Sequence, residues 1–338
     1  MKSALSAMLL AAWLAGCGHL PDGQGLRTYV NPVIGTEFAD PAVLHAPDGW
    51  FYAYATQGSR AAGTLNIQAA RSMDLVRWQL LGDALPEKPR WSTTKQKFWA
   101  PHVLHDGELG RYFMYYSAEP DNADGKCLAV ASSAAPEGPF VDSGAPLLCG
   151  EGIEHIDPMA FDDPQTGKRL LYWGSGGLPI KVQELAADRI RFLAGSSPKD
   201  ILFPLPSKQY GSLIEGAWLR FRGGFYYLFY SGDLCCGPNP SYAVMVARSR
   251  DAFGAFELFS NPSNPDSSVI LERNAAWLAP GHNSIATDDA GTDWILYHAM
   301  DTKRARVLLL DRIVYRDGWP RIEGDGPSSS PRPAPAVR

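Results

Sequence analysis

One aromatic strand motif recurs five times along the 338-residue chain, and this repeat restricts the possible folds more than any other feature. Each copy is a short run rich in Tyr, Phe, Trp and Leu that ends in a small residue. The five copies are Phe51–Thr56, Tyr112–Ser117, Leu170–Ser175, Phe225–Ser231 and Trp294–Ala299. A turn rich in Gly or Asp precedes each copy, and another apolar stretch precedes each turn. Every unit is therefore predicted to open as a β-hairpin.

Further strands follow the hairpin in these units. The third strand ends in a similar phrase in three of them, namely Ala70–Ser72, Ala131–Ser133 and Ala247–Ser249. A Gly-Pro-Phe or Gly-Ala-Phe step, at residues 138–140 and 254–256, then precedes a fourth strand. Four short strands repeated every ~50–60 residues are typical of propeller blades. The sequence therefore predicts an all-β fold, a five-bladed β-propeller that fills residues 33–325.

The first 17 residues are predicted to be a bacterial lipoprotein signal peptide. Lys2 supplies a basic start, and the apolar run over residues 4–15 is too short to span a bilayer as a permanent helix. The run closes on Leu-Ala-Gly-Cys, which resembles a lipobox, so Cys17 is expected to become the lipidated first residue. Because Gly18 rather than Asp follows, we expect an exported lipoprotein in the outer membrane, on its periplasmic or its outer face. Ordinary secretion with cleavage nearby is the alternative.

Two more segments are expected outside the folded body, a linker over residues 18–32 and a disordered tail over residues 326–338. The tail is rich in Pro and Ser, a composition typical of disorder. Lys and Arg are scattered and the net charge is −5, which disfavours a nucleic-acid partner. We expect a monomer whose only membrane contact is the N-terminal lipid.

The chain contains five cysteines, of which Cys17 is assigned to the lipid. The even number that remains suggests disulfides, as is usual in exported proteins. Cys127 and Cys149 are close enough in sequence to lie on neighbouring strands, and we expect them to pair. Cys235 and Cys236 are adjacent in the chain. We predict a vicinal disulfide between them, with pairing elsewhere as the alternative.

One polar residue interrupts the apolar first strand of each predicted hairpin. The five residues are Asp40, His102, Asp157, Glu215 and His282. The first strand of each propeller blade lines the central axis, so the same position in five blades converges on one end of the channel. The sequence thus predicts that three carboxyl groups and two imidazoles meet in one site.

Three carboxyl groups at matching repeat positions favour a catalytic site. Carboxylates clustered in an apolar setting lose hydration and repel each other, so they seldom persist without a task. The structural alternative is that they cap strand ends or bond the backbone across the axis. Two carboxyl groups on opposite sides of a glycosidic bond are the machinery of glycoside hydrolysis, in which one is ionised and the other holds a proton. A third carboxylate nearby raises the pKa of the acid by like-charge repulsion.

Four short phrases, in their order along the chain, resemble family 43 of the glycoside hydrolases. The phrases are Ala39–Pro41, Trp99–Pro101, Ile156–Pro158 and Ile214–Gly216. The resemblance implies an inverting enzyme that acts on arabinose- or xylose-containing plant polysaccharides and oligosaccharides. It implies that Asp40 is the general base, that Asp157 orients and modulates the pKa of the acid, and that Glu215 is the general acid.

The resemblance also assigns supporting residues. His282 matches an axial histidine that in arabinanases helps to hold a buried cation or water. We expect that no cofactor is required. The resemblance leaves open whether a structural Ca²⁺ or another cation binds near His282. His298 resembles a supporting residue, and His102 stands where many members have an acidic residue, so a subsite contact is expected to differ. The alternative is that His102 and His298 are hydrogen-bonded strand histidines.

Aromatic and basic residues near the carboxyl groups are further candidates. Phe38 and Trp99 flank these groups and are predicted, together with His102 and His298, to contact the sugar. Arg306 and Arg312 are both candidates to balance the buried negative charge, and the sequence does not choose between them.

The predicted substrate is α-L-arabinan, cleaved by an arabinanase or arabinofuranosidase, because residues 231–242 and 246–249 resemble the arabinan-active group of the family. A β-xylosidase or related pentosidase is the first alternative. A fructan hydrolase of the related five-bladed families is disfavoured, because its Asn-Asp-Pro-Asn-Gly and Glu-Cys phrases are replaced here by Ala-Asp-Pro-Ala and Glu-Gly. The alternative of another class is a non-catalytic surface lipoprotein that binds glycans.

Overall fold

The computed structural model describes residues 27–61, 63–324 and 326–337. These residues form five antiparallel sheets arranged as blades, and two further two-stranded sheets. This part of the chain contains no helix, and hence none that is long and apolar enough to cross a membrane. The predicted five-bladed β-propeller is confirmed. The predicted signal peptide with Cys17 lies outside the described residues.

Within each blade the strands run from the ring axis outward in the order of the chain. Outside the blades, β1 (Thr28–Tyr29) precedes the ring. Blade 1 consists of β2 (Ala42–His45), β3 (Phe51–Ala55), β6 (Gln68–Ser72) and β7 (Gln79–Asp83), with the hairpin β4 (Gly58–Arg60) and β5 (Gly63–Leu65) inserted before β6. Blade 2 consists of β8 (Trp99–Asp106), β9 (Arg111–Ala118), β10 (Cys127–Ser133) and β11 (Val141–Asp142), and β12 (Leu148–Cys149) also pairs with β10.

The remaining blades follow the same plan. Blade 3 consists of β13 (Met159–Asp162), β14 (Arg169–Trp173), β15 (Ile180–Glu184) and β16 (Lys199–Leu202). Blade 4 consists of β17 (Ile214–Arg222), β18 (Phe225–Gly232), β19 (Ala243–Ser249) and β20 (Glu257–Leu258), and β21 (Val269–Leu271) also pairs with β19. Blade 5 consists of β22 (Leu278–Thr287), β23 (Asp293–Met300), β24 (Arg306–Arg316) and β25 (Trp319–Ile322), and β26 (Arg332–Pro333) comes last.

The five aromatic motifs are the second strands of the blades, and their side chains form the core. Every residue of β3 and of β23 is buried, because each blade packs between two neighbours. Buried tyrosine hydroxyls find backbone acceptors: the Tyr172 hydroxyl donates to the carbonyl of Ala252 (2.7 Å), and the Tyr115 hydroxyl donates to that of Arg189 (2.9 Å). Most of the aromatic residues therefore serve packing between blades.

The ring is closed by the N-terminal segment, which runs along the outer side of β24. The amide of Phe38 donates to the carbonyl of Arg306 (2.8 Å), and Ile34 forms an antiparallel bridge with Leu308. The side chain of Asn31 completes this edge by accepting the amide of Leu310 (2.9 Å). Closure by residues far apart in sequence ties the first blade to the last.

The C-terminal segment is ordered, although the sequence predicted a disordered tail. Its residues Arg332–Pro333 form β26, which pairs with β1 over Thr28 and Tyr29, within the predicted linker. Ser328 is buried, and its hydroxyl accepts a hydrogen bond from Asn31 Nδ2 (2.9 Å). The prolines suit this site because an edge strand tolerates the loss of a backbone donor. Composition alone missed a partner that lies roughly 300 residues away in the chain.

Both predicted cysteine pairs are joined in the structure. Cys127 is bonded to Cys149, and the two residues are direct cross-strand neighbours on β10 and β12. Cys235 is bonded to Cys236.

Candidate active site

Apart from Ala279 (φ 46°) in β22, the first strand of each blade, or the segment just before it, carries one residue with a left-handed backbone near the axis. These residues are Asp40 (φ 55°), Ala100 (45°), Asp157 (60°), Gly216 (62°) and His282 (48°). A side-chain-bearing residue in this region costs about 1–3 kcal/mol and persists only where its surroundings hold it. Asp40, Asp157 and His282, three of the five predicted polar residues, therefore occupy equivalent positions in their blades.

The other two predicted positions are corrected by the structure. In blade 2 the equivalent residue is Ala100 and not His102, and in blade 4 it is Gly216, one residue after Glu215. The pairing of β8 with β9 slips between Trp99 and His102, and that of β17 with β18 slips after Glu215. Such bulges change the alternation of side chains, which a repeat read from sequence spacing does not detect.

The small residue that ends an aromatic motif holds the site residue of the next blade. Ser117 Oγ accepts the amide of Asp157 (3.1 Å), and Ser231 Oγ accepts the amide of His282 (2.8 Å). Around the closing edge of the ring, His298 Nδ1 accepts the amide of Asp40 (3.1 Å). The recurrence of these residues at the ends of the aromatic motifs was the signal in the sequence for this role.

Five of the predicted site residues open into one cavity of about 350 Å³. The cavity is lined by Asp40, Thr56, Trp99, Ile153, Ile156, Asp157, Leu213, Glu215, Asp233, Leu234, Cys235, Cys236, His282 and Arg306. Its volume falls within the range of sites for small ligands. Asp40, Asp157 and Glu215, together with Trp99 and His282, are thus brought to one place by the fold.

Asp40 is held in its ionised form. Thr56 donates its hydroxyl to Asp40 Oδ2 (2.5 Å), and Arg306 Nη1 lies 3.6 Å from Oδ1. His298 Nδ1 and His282 Nδ1 lie 3.3 and 3.5 Å from the same oxygen. Burial raises the pKa of a carboxyl group, but Arg306 and then the two imidazoles outweigh it. The pKa of Asp40 is therefore held well below its usual range.

Glu215 and Asp157 are shifted the other way. Burial raises the pKa of Glu215, although the hydroxyls of Ser175 (2.5 Å) and Tyr242 (2.7 Å) donate to its two oxygens and oppose the rise. Burial, and then the negative charges of Glu215 and Asp40, raise the pKa of Asp157 well above its usual range. The ionised Asp40 thus shares the site with Glu215 and Asp157, a pair that retains a proton. Glycoside hydrolysis requires one ionised carboxylate and one protonated carboxyl group.

Arg306, and not Arg312, is the cation that lies in the site. Glu37 Oε1 lies 3.0 Å from Arg306 Nε, and Glu37 Oε2 accepts the Arg306 amide (2.7 Å), so this side chain is held toward Asp40. Arg312 pairs with Glu323 (3.3 Å) at the surface. Arg306 is the functional residue that the sequence left undecided.

His282 lies between the pocket and a smaller cavity of about 10 Å³ along the axis. Burial lowers the pKa of His282 to about 4, so the imidazole is neutral and able to hold a ligand. Both side-chain polar atoms of Asn283, which also lines the axial cavity, are buried without a hydrogen-bond partner among the described residues. A cavity of this size suits one water.

The groups around His282 are a poor match for a calcium ion bound directly by the protein. Ca²⁺ takes about six to eight oxygen ligands. Within the described ranges no group of three or more His, Cys, Asp or Glu side chains is placed to hold a metal ion. A cation near His282 stays a prediction that requires water for most of its ligands.

Three residues predicted to contact the sugar lie outside the pocket. Phe38 is fully buried and belongs to the core cluster that includes Val43 and Leu308. His102 is buried on the axis, where its Nδ1 accepts the amide of Ala160 (3.3 Å) and burial lowers its pKa to about 3. His298 is fully buried behind Asp40. Phe38 was predicted from its adjacency to Asp40, and His102 and His298 from the family resemblance. Neither argument shows whether a side chain faces the cavity or is buried behind its wall.

Trp99 is the one predicted aromatic contact that lines the pocket. The ammonium of Lys126 lies 3.5 Å from the centroid of its ring. Lys126 is itself buried and donates to the carbonyl of Lys97 (3.1 Å). The indole ring therefore has a fixed support, as expected for a surface that stacks on a sugar.

The fold and the site together define a glycoside hydrolase. The sequence pattern of glycosyl hydrolases family 43 matches residues 29–320, and the chain belongs to this family. It hydrolyses O-glycosyl bonds.

Named relatives differ in the sugar they act on. The chain is 31% identical to a β-D-galactofuranosidase from Aspergillus niger over 85% of this chain and 82% of that one. It is 27% identical to a probable arabinan endo-1,5-α-L-arabinosidase A from Aspergillus flavus, over 84% and 90% of the two chains.

Solved structures share the fold over nearly the whole ring. A thermostable family-43 glycoside hydrolase is 28% identical, with a TM-score of 0.75 over 92% of this chain and 100% of that one. An exo-1,5-α-L-arabinanase from a bovine ruminal metagenomic library is 25% identical, with a TM-score of 0.69 over 85% and 97% of the two chains. An endo-1,4-β-xylanase from Bacteroides thetaiotaomicron is 26% identical, with a TM-score of 0.71 over 87% and 97%.

Proposed function

We propose that this protein hydrolyses α-L-arabinofuranosyl bonds of arabinan with inversion at the anomeric carbon. In this proposal Asp40 is the general base, Glu215 the general acid and Asp157 the residue that keeps the acid protonated. The observation that carries the proposal is the opposite direction of the pKa shifts within one cavity, down for Asp40 and up for Glu215 and Asp157.

The proposed reaction uses each carboxyl group once. The ionised Asp40 accepts a proton from a water as the water oxygen attacks the anomeric carbon. The bond from that carbon to the leaving oxygen breaks on the opposite face, and this oxygen takes the proton of Glu215. The products are a sugar with inverted configuration and a shortened glycan. Inverting pairs stand roughly 6.5–9.5 Å apart to leave room for the water.

Asp157 is placed to support this exchange of protons. Its Oδ2 accepts the amide of Gly216 (3.0 Å), the residue after the proposed acid. Two buried negative charges on Asp157 and Glu215 would repel each other, so the pair resists losing its last proton. The same backbone contact positions the strand that carries the acid. Both effects help Glu215 to hold its proton until the leaving oxygen needs it.

Support for arabinan comes from several relatives that bear the name arabinanase or arabinosidase. A second candidate substrate is a β-D-galactofuranoside, because the relative at 31% identity is named for it. The two sugars share the ring configuration of a furanose, and galactofuranose adds one exocyclic carbon. A xyloside is the third, since one similar structure carries the name xylanase.

A substrate panel separates these candidates. We expect release of arabinose or arabino-oligosaccharides from linear arabinan, little release from xylan, and hydrolysis of an aryl α-L-arabinofuranoside. Faster hydrolysis of an aryl β-D-galactofuranoside or β-D-xyloside would replace the proposed substrate. Proton NMR of the first product should show the inverted anomer, and a retained anomer would refute the proposed mechanism.

We also propose that the protein is exported and anchored through a lipid on Cys17. The support is the N-terminal sequence alone. Cys17→Ser should move the protein from the membrane fraction of the expressing bacterium to its soluble fraction. An unchanged distribution would contradict the anchor.

A further inference from the structure

The loop over residues 233–241 joins β18 to β19 and is fixed at both ends to the active site. At its start, Ser231 accepts the amide of His282 (2.8 Å). At its end, Tyr242 donates to Glu215 (2.7 Å). The loop therefore stands in a defined position relative to the proposed acid.

Contacts within the loop and to blade 5 hold its tip. The amide of Ser241 donates to the carbonyl of Leu234 (2.9 Å), which closes the base of the loop. Arg304 Nη2 donates to the carbonyl of Gly237 (2.5 Å), one residue after the cysteine pair. These bonds place Cys235 and Cys236 where they line the catalytic cavity.

Seven of the fourteen residues that line the cavity are polar or charged, and the cysteine pair belongs to the apolar other half of the wall. Leu213, Leu234, Cys235 and Cys236 approach from blade 4. Trp99 approaches from blade 2, which is not adjacent to blade 4 in the ring. A sugar seated over the carboxyl groups is thus faced by an indole on one side and by the cysteine pair on another.

A disulfide at this place offers a distinct surface to a sugar. Its sulfur atoms are large and polarisable, and they carry no proton to donate. They suit contact with the C–H groups of a ring, whereas two thiols or two hydroxyls change both the shape and the polarity of the wall. Cys236 is exposed and Cys235 is partly buried, so the pair lies at the rim, where sugar enters.

We propose that the Cys235–Cys236 disulfide is a specificity-determining contact that binds the apolar face of the substrate sugar. It acts on binding and not on proton transfer, since the side chains that donate to the proposed base and acid are Thr56, Ser175 and Tyr242, and a disulfide has no proton to give. The inference rests on the proposed function for the location of the sugar, but not for the identity of the sugar.

The test is steady-state kinetics of the oxidised enzyme and of Cys235→Ser/Cys236→Ser, on whichever aryl glycoside the wild type cleaves best. We expect KM to rise by about tenfold, which is the low end of the effect of losing one methylene-sized apolar contact. We expect kcat to stay within about twofold of the wild-type value. Asn239→Ala is the matched control, because Asn239 is exposed in the same loop and does not line the cavity. This control should keep the wild-type KM.

A reductant arm separates this disulfide from the other one. Reduction should raise the KM of the wild type and leave the KM of the double variant unchanged. If reduction shifts both proteins equally, the effect belongs to Cys127–Cys149, and the inference is overturned. An unchanged KM in the double variant overturns it as well.

Two further measurements keep the outcome clear. If the double variant does not fold, mild reduction and alkylation of the wild type, with peptide mapping to show that only residues 235 and 236 are modified, replaces it. Cys127 is fully buried and should resist. If the wild type cleaves a xyloside and no arabinoside, the proposed substrate fails, while the KM comparison still tests the disulfide.

Discussion

Arg306 Nη1 lies 3.6 Å from Asp40 Oδ1, and Glu37 holds the Arg306 guanidinium from its other side at 3.0 Å. This is the main interaction that overcomes burial and keeps Asp40 ionised. In the proposed mechanism Asp40 is the base, which works only above its own pKa, so we expect Arg306 to determine the lowest pH at which the enzyme is active.

Arg306→Gln should therefore move the acidic limb of the profile of kcat/KM against pH upward. Loss of the positive charge raises the pKa of Asp40, and an opposite charge at this range is worth about one to three pH units. Arg306→Lys is the matched control because it keeps the charge, and its shift should be smaller. The measurement is kcat/KM from pH 3 to 9. An acidic limb that stays in place would show that Arg306 does not tune the base.

Asp40→Ala and Glu215→Ala should fail in different ways. Loss of the base should lower kcat by about 10²–10⁴ on every substrate, because no leaving group replaces activation of water. Loss of the acid should matter in proportion to the basicity of the leaving group. Glu215→Ala should thus retain far more activity on a nitrophenyl arabinoside than on arabinan. Equal losses of Glu215→Ala on the two substrates would mean that the acid is assigned to the wrong carboxyl group.

Asp157→Asn should move the alkaline limb of the same profile downward. Asn cannot ionise, so the ionised form of Glu215 no longer competes with a second carboxylate, and Glu215 loses its proton at lower pH. The acid is active only below its pKa. The rate should also fall at the optimum, since orientation is lost. Asp233→Asn is a control within the same cavity and should leave the limb in place. No movement in Asp157→Asn would leave Asp157 with a purely structural role.

Cys127→Ala/Cys149→Ala should reduce the free energy of unfolding by about 3 kcal/mol. The bond spans 22 residues of sequence, and closing a loop of that length restricts the unfolded chain by roughly this amount. Urea unfolding followed by Trp fluorescence gives the value. Cys235→Ser/Cys236→Ser is the control, because adjacent residues close no loop and the unfolding midpoint should change little. Free thiols at residues 127 and 149 in the purified protein would contradict the pairing itself.

The repeat and the identity of the carboxyl groups could be read from the sequence. Alternating aromatic residues and Gly-rich turns act over a few neighbouring residues, so five hairpins such as that of Phe51–Thr56 were predictable locally. Symmetry then required Asp40 and Asp157 to meet near the axis. The repeat also pointed to Glu215, and the family resemblance added the roles.

The tertiary structure decided what depends on pairing between distant strands. Bulges in β8 and β17 moved His102 out of the repeat position and set Glu215 one residue before it. Arg306 was distinguished from Arg312 only by where β24 places each side chain, and β26 became ordered only by pairing with β1. These outcomes depend on contacts between residues far apart in the chain. The composition and spacing of one segment cannot predict which distant residues it will contact. The sequence therefore predicted which residue types carry the chemistry, and the closure of the ring determined which side chains face the cavity.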